Sequence, residues 1–301
     1  VTKFQHIQVI INPASGANAP ILNTINNYLG EYGGHWDVSV TQPERTAIDL
    51  TQEALDKGAD LIAVYGGDGT LHEVNRVLVG TDTPLCILPG GTGNALAKQL
   101  RIPLQLEAAL QACLTEPTEI VALDTAVVND KPFLLNAGTG LYGQLLNVVD
   151  RELKDRFGWI AYLIGAVRTT TGTELFNYQV KVDDETHTFT ATACLIANAN
   201  HLGVLGLSLP EQVSLTDGYL DVFAMDNSVM SILGGIGRVT GLDTLAQTIP
   251  HWRGQRIEIE IETKQGIYVD GEADPICETP AYIQIRPQSL RVILPSDQPA
   301  P

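Results

Sequence analysis

At 301 residues, with 44% apolar and 18% charged side chains, the chain has material for two ordinary domains and is not a disordered polypeptide. Its 18 basic and 35 acidic residues leave a net charge of −17, which disfavours nucleic acid and anionic lipid as polyelectrolyte partners. Any visit to a membrane calls for a local patch.

The cysteines (Cys86, Cys113, Cys194 and Cys277) lie far apart with no CxxC pair, which argues against a zinc site and fits reduced, buried thiols. No apolar run approaches the ~20 residues of a membrane span. The opening VTKFQHIQVIINP enters a strand pattern without the charged-then-apolar layout of a signal peptide. A soluble, cytoplasmic protein is expected, at most peripheral at the inner face of a membrane.

In chain order, the first third repeats an apolar run, a glycine-rich loop and a helical pattern. Ile7–Ile11 leads into Asn12-Pro13-Ala14-Ser15-Gly16 and a helix through about Leu29. Trp36–Val40 feeds a helix around Ala47–Lys57. Leu61–Tyr65 leads into Gly66-Gly67-Asp68-Gly69-Thr70 and a helix with Leu71, Val74 and Leu78 on one face. Leu85–Leu88 leads into Pro89-Gly-Gly-Thr92-Gly93-Asn94 and a helix through about Leu100. Strands alternating with helices predict a parallel sheet covered on both faces, whose loops gather at the strands' carboxyl ends.

From about Val121 the pattern changes to alternating strands and tight turns. Asn129-Asp130 and Asp183-Asp184 sit between alternating runs, the second flanked by Tyr178, Val180 and Val182 before it and Phe189, Ala191 and Ala193 after it. Further strands are predicted near 220–224, 257–262, 267–269, 283–286 and 290–294. A long helix over about Leu145–Thr170 and a shorter one over Ser228–Val239 interrupt them, and the proline-rich tail from Pro295 is expected to be disordered. The whole predicts an N-terminal three-layer α/β/α nucleotide-binding domain (residues 1–122, with a return at about 291–301) and a C-terminal antiparallel β-sandwich domain (123–290).

The sharpest chemical signal is Gly66–Thr70 between a strand and a helix. Glycines let backbone N–H groups approach a phosphate, and the following helix directs its positive end to the same point. Asp68 repels a phosphate unless Mg²⁺ lies between them. Thr92, Asn94 and Ser15 add hydroxyl and amide groups beside the other two glycine loops. No G-x-x-x-x-G-K-[ST], G-x-S-x-G or H-E-x-x-H occurs. Gly138-Thr-Gly140-Leu-Tyr-Gly143 fits G-x-G-x-x-G, but it stands in the β-rich half and is read as no dinucleotide fingerprint. Asp270-Gly271-Glu272 ends a short strand; one carboxylate could orient a metal or a loop and the other accept a proton, while a charged surface turn is the plainer reading.

Taken together and in order, Asn12–Gly16, Gly66–Thr70 with Glu73, Pro89–Asn94, Lys154–Tyr162 (KDRFGWIAY), Asp217-Gly-Tyr-Leu-Asp221 and Asp270–Glu272 resemble the diacylglycerol kinase catalytic family, which includes sphingosine kinases and bacterial lipid kinases. The resemblance implies an ATP- and Mg²⁺-dependent lipid kinase. Its nucleotide would meet Asn12, Pro13, Ala14, Ser15, Gly16, Thr41, Gly66, Gly67, Asp68, Gly69, Thr70, Leu71, His72, Glu73, Thr92, Gly93 and Asn94. It makes Glu272 or Asp270 the proton acceptor beside Asp68, and Ser214, Asp217 and Tyr219 the holders of a structural Mg²⁺. Two departures stand out: Ala95 follows Asn94 where many bacterial members have Asp, and the usual glycine cluster is reduced to Gly203-Val-Leu-Gly206. The alternatives are an NAD kinase, which shares GGDGT, and a catalytically silent nucleotide or lipid sensor.

Expected partners are a lipid with a free hydroxyl, a transiently touched membrane surface and, in a homodimer, a second copy of the chain. Nucleic acid is not among them. Phe157–Ile164 and the apolar residues Val229, Met230, Ile232, Leu233 and Ile236 are candidates to line the lipid path, although core packing is the commoner use of such faces. Arg151, Lys154, Arg156 and Arg168 would supply the basic patch.

Overall fold

The computed structural model describes residues 4–16, 20–114, 118–143, 174–200, 213–225 and 249–295. The helices expected at 145–170 and 228–239, the KDRFGWIAY segment, the four basic residues, Gly203–Gly206 and the tail beyond residue 295 lie outside them. The chain divides into two compact units, Val1–Thr125 with Pro287–Pro301, and Ala126–Arg286.

The first unit runs β1 (His6–Ile11), α1 (Ile21–Tyr32), β2 (His35–Val40), α2 (Ala47–Asp56), β3 (Leu61–Gly66), α3 (Asp68–Leu78), β4 (Leu85–Pro89), α4 (Ala95–Gln99), α5 (Leu106–Leu114) and the start of β5 (Thr118–Val128). The parallel order is β2-β1-β3-β4. β3 and β4 are buried along their whole length, as strands covered on both faces must be, whereas the edge strand β2 alternates. Thr46 caps α2 through a reciprocal pair with Asp49, and Gly33, at φ +83°, ends α1 in the left-handed conformation a side chain would resist.

Because β1 sits between β2 and β3, the chain leaves β1 in one direction and β3 in the other. Right-handed crossovers then put α1 on one face and α2 with α3 on the opposite face. The contacts agree: α2 packs on α3, and α1 packs on α5. The direction reverses between the carboxyl ends of β1 and β3, the place where sheets of this kind open a crevice.

The second unit continues with the end of β5, then β6 (Lys131–Phe133), β7 (Asn136–Gly140), β8 (Phe176–Val182), β9 (Glu185–Ala191), β10 (Ala193–Ala197), β11 (Leu220–Met225), β12 (His251–Gly254), β13 (Arg256–Ile261), β14 (Gly266–Val269), β15 (Cys277–Glu278) and the first part of β16 (Ala281–Pro295). One antiparallel sheet has the order β12-β11-β10-β7-β14-β15. In the other, β16 pairs with β13, β13 with β8, and β8 with β9, all antiparallel. Cys194, Ile196, Val222, Ile267 and Val269 of the first sheet share a core with Tyr178, Val180, Ile257, Ile259 and Ile283 of the second. The sandwich follows from the alternation in these strands. Asn129-Asp130, both at positive φ, turns β5 into β6, and Asp183-Asp184 turns β8 into β9.

The last part of β16 belongs to the first unit, where Val292 pairs in parallel with Leu85 of β4. Three details differ from the sequence reading. The α5 helix was not anticipated. The apolar run through Phe189 and Ala193 is two strands, parted at buried Thr192, whose N–H and hydroxyl both donate to the Met225 carbonyl. The runs at 283–286 and 290–294 belong to one strand. Gly138 and Gly140 lie on β7, paired antiparallel on both sides, so their glycine pattern belongs to no βαβ unit.

Cys86, Cys113 and Cys194 are buried free thiols and Cys277 is half-buried; burial pushes the Cys194 thiol up to about 12. No helix among the described residues is long and apolar enough to cross a membrane.

Candidate active site

Three glycine loops leave adjacent parallel strands of the first unit at their carboxyl ends. Residues 12–16 follow β1, Gly67 joins β3 to α3, and residues 90–94 join β4 to α4. Main-chain bonds tie strand ends to one another: Asn12 N donates to the Tyr65 carbonyl (2.9 Å), Gly90 N to the Gly66 carbonyl (2.9 Å) and Thr41 N to the Ile11 carbonyl (2.9 Å).

The glycines are required by distance. A Cβ on Gly91 would lie 2.5 Å from the Gly67 Cα, so the second and third loops touch backbone to backbone. A Cβ on Gly93 would lie 2.6 Å from Asp68 Oδ2, and one on Gly16 (φ +86°) would lie 2.2 Å from the Tyr65 hydroxyl. Tyr65 was not among the sequence candidates, yet it fills the space against which Gly16 and Gly90 close. An apolar strand end just before GGDGT was the available signal.

The polar candidates mostly brace these loops. Asn12 Nδ2 donates to Thr70 Oγ1 (2.8 Å), while its Oδ1 accepts from Ala14 N (3.0 Å). Asn94, at φ +48°, closes its own loop: Oδ1 accepts from Gly91 N (2.9 Å) and Nδ2 donates to Gly91 O (2.7 Å). Asp68 Oδ1 accepts from Ala95 N (2.7 Å), so the carboxylate that opens α3 also caps α4. Glu73 Oε2 accepts from Ala47 N (2.9 Å) at the start of α2. Leu71 and Thr70 are buried, His72 is half-buried, and Thr92 and Gly69 are exposed. Pro13 and Ala14 are exposed, Ser15 and Thr41 half-buried. The first turn of α3, residues 68–70, has N–H groups with no partner four residues back, directed to the loop side.

Such a set suits an anionic phosphate chain, and Mg²⁺ beside a phosphate needs only one or two carboxylates, the rest of its shell being phosphate oxygens and water. Asp68 at the head of α3 fits that demand.

In the second unit, Val269–Glu272 form a tight turn closed by Glu272 N to the Val269 carbonyl (2.9 Å), with positive φ at Asp270 (+50°) and Gly271 (+79°). The two carboxylates of the turn have different surroundings. Asp270 Oδ2 accepts from Leu134 N (2.8 Å), and its Oδ1 from Leu135 N (2.7 Å) and Asn136 N (3.2 Å). Glu272 is exposed, and its carboxylate accepts no hydrogen bond from the described residues. Tyr142, also missed by the sequence reading, donates its hydroxyl to Asn136 Oδ1, and burial, with the Asp270 charge adding to it, pushes its phenol well up.

Ser214, Asp217 and Tyr219 come together in the turn before β11. Ser214 Oγ bonds Thr216 Oγ1 (3.1 Å). Asp217 Oδ1 accepts from Tyr219 N (2.9 Å), and Oδ2 is paired with Arg253, whose guanidinium lies 4.6 Å over the Tyr219 ring. A cation from the protein, Arg253, thus stands at this carboxylate.

Comparison with known proteins agrees with this anatomy. Residues 6–125 match the diacylglycerol kinase catalytic domain, and residues 138–294 the YegS C-terminal NAD kinase beta sandwich-like domain. An uncharacterized protein of Synechocystis is 35% identical over 86% of this chain, which spans 61% of that protein's length. A Staphylococcus aureus protein named "Putative lipid kinase" is 28% identical, over 98% of this chain and 99% of its own. The crystal structure of a diacylglycerol kinase from Bacillus anthracis superposes with a TM-score of 0.80 at 27% identity, covering 98% of both chains. With both units matched in order and three glycine loops at one sheet edge, the chain belongs to the diacylglycerol kinase catalytic-domain family.

Proposed function

We propose that the chain transfers the γ-phosphate of Mg²⁺-bound ATP to the free hydroxyl of a lipid such as diacylglycerol. The observation that carries this reading is the backbone contact of Gly67 with Gly91 beside the start of α3, in a chain of this family. Main-chain N–H groups packed that closely suit phosphate oxygens and leave no room for a bulkier wall.

The lipid oxygen forms a new bond to the γ-phosphorus as the bond to the β-phosphate oxygen breaks, and ADP leaves. The hydroxyl proton passes to a carboxylate. Glu272 is assigned that role because its carboxylate is exposed, whereas both oxygens of Asp270 already accept backbone N–H groups. Neutralising the phosphate charge is what bound Mg²⁺ supplies, with Asp68 as its protein ligand. Loops that hold the phosphates in place contribute through positioning, the main source of acceleration in phosphoryl transfer.

The test is transfer of γ-labelled phosphate from ATP into a total lipid extract, with Asp68→Ala as the control and circular dichroism to check the fold. A labelled lipid that the folded variant no longer makes supports the reading. NADP formed from added NAD, with no labelled lipid, would replace it with the NAD kinase alternative. ATP binding without turnover on either acceptor would leave a nucleotide sensor.

A further inference from the structure

The parallel register of the first sheet pairs His6 of β1 with His35 of β2. Paired residues share a face, and Asp37, two residues along β2, returns to that face. His6 Nε2 and His35 Nε2 each lie 3.2 Å from the same oxygen, Asp37 Oδ2, and the two rings are 4.8 Å apart. Among the described residues, this is the group of histidine, cysteine and acidic side chains whose ligand atoms all fall within 4.8 Å of one another.

The three are set on rigid backbone. His6 N and Gln5 N donate to the Asp60 carboxylate (2.9 and 2.7 Å), and Gln8 Nε2 donates to the Asp37 carbonyl (3.3 Å). The His6 side chain is only 17% exposed, while Asp37 at 50% and His35 at 67% stand open on the edge strand. Approach from solvent is therefore unobstructed by the described residues, and the exposed His35 ring is able to adjust.

We propose that His6, His35 and Asp37 form a binding site for a divalent transition metal of the zinc class. Two imidazoles and a carboxylate are three of the four ligands of a tetrahedral Zn²⁺, with water as the fourth. Ligand atoms around such an ion are ~3.3 Å apart, given bonds of ~2.0–2.1 Å, which a small turn of the His35 ring achieves. Imidazole nitrogen selects zinc, copper or nickel over magnesium, so this site does not compete for the ion that accompanies a nucleotide. The strongly acidic surface raises the local concentration of any dication. The site stands at the amino end of β1, about six residues or roughly 20 Å along the strand from Asn12, so it is separate from the proposed phosphate site.

The experiment is calorimetric titration of ZnCl₂ into the tag-free, chelator-stripped chain at pH 7.5 with millimolar MgCl₂ present. One equivalent should bind with a micromolar dissociation constant. His35→Gln and Asp37→Asn should each weaken that binding at least tenfold with an unchanged circular dichroism spectrum, while His187→Gln in the second unit should match the parent chain. No stoichiometric binding below ~100 μM Zn²⁺ would overturn the proposal. So would full-strength binding in His35→Gln. A loss with His35→Gln but none with Asp37→Asn would overturn the three-ligand assignment.

Discussion

At the scale of single residues, the two carboxylates of the Asp270–Glu272 turn separate into an anchor and an acceptor. Asp270 receives three main-chain N–H groups, which occupy both of its carboxylate oxygens and tie the turn to residues 134–136. Glu272→Gln is expected to lower lipid phosphorylation by about 10²–10⁴-fold with an unchanged melting temperature. Asp270→Asn puts an amide where only acceptors fit, and should cost roughly 2 kcal/mol of stability, read as a lower denaturation midpoint. Equal activity losses and equal stabilities in the two variants would remove the distinction. The sequence shows both acids one glycine apart but cannot separate them, because the groups that do so, Leu134 to Asn136, stand more than 130 positions away. The same holds for Asp68, whose bond to Ala95 N spans 27 residues, and for Glu73, which caps a helix that precedes it in the chain. In the sequence these residues look like ligand contacts; in the fold they also hold the loops and helices in position.

At the scale of elements, the glycine loops were legible because fully buried parallel strands read as short apolar runs ended by glycine. The α5 helix was not, since its buried side is built from Ala109, Leu110, Ala112 and Cys113, too small a set to stand out from the surrounding sequence. Nor does the crossing at Thr192 carry a turn signal: its hydroxyl is satisfied by the Met225 carbonyl, a partner that exists only in the folded sheet. The contact between the second and third loops makes a sharp prediction. Gly91→Ala places a methyl group 2.5 Å from the Gly67 Cα and 3.0 Å from Asn94 Oδ1. It should cost about 1–3 kcal/mol and weaken ATP binding at least tenfold by equilibrium dialysis. Gly30→Ala, inside α1 with nothing within 4 Å of the added carbon, should instead raise stability by about 0.5–1 kcal/mol.

At the scale of the whole molecule, the first unit is assembled from both ends of the described chain, with Ala126–Arg286 interposed. The alternation of the second half made its antiparallel sheets legible, but the destination of the last strand is set by pairing that local pattern does not encode. Leu290, Val292, Ile293 and Leu294 are each at most 2% exposed. Burying four such side chains contributes ~6–12 kcal/mol, comparable to the ~5–15 kcal/mol stability of an ordinary domain. A chain ending at Arg286 should therefore lose the cooperative unfolding transition of the first unit, while one ending at Pro295 keeps it; calorimetry separates the two. The interposed order also bears on biosynthesis. Nearly 200 residues separate Pro89, at the end of β4, from Pro287, where the completing segment begins. At ~5–20 residues per second, a ribosome takes about 10–40 s to make that stretch. Through that interval β4 presents an open row of amides and carbonyls to other nascent chains. The glycine loops are thus translated well before β16, the strand that completes the sheet beneath them.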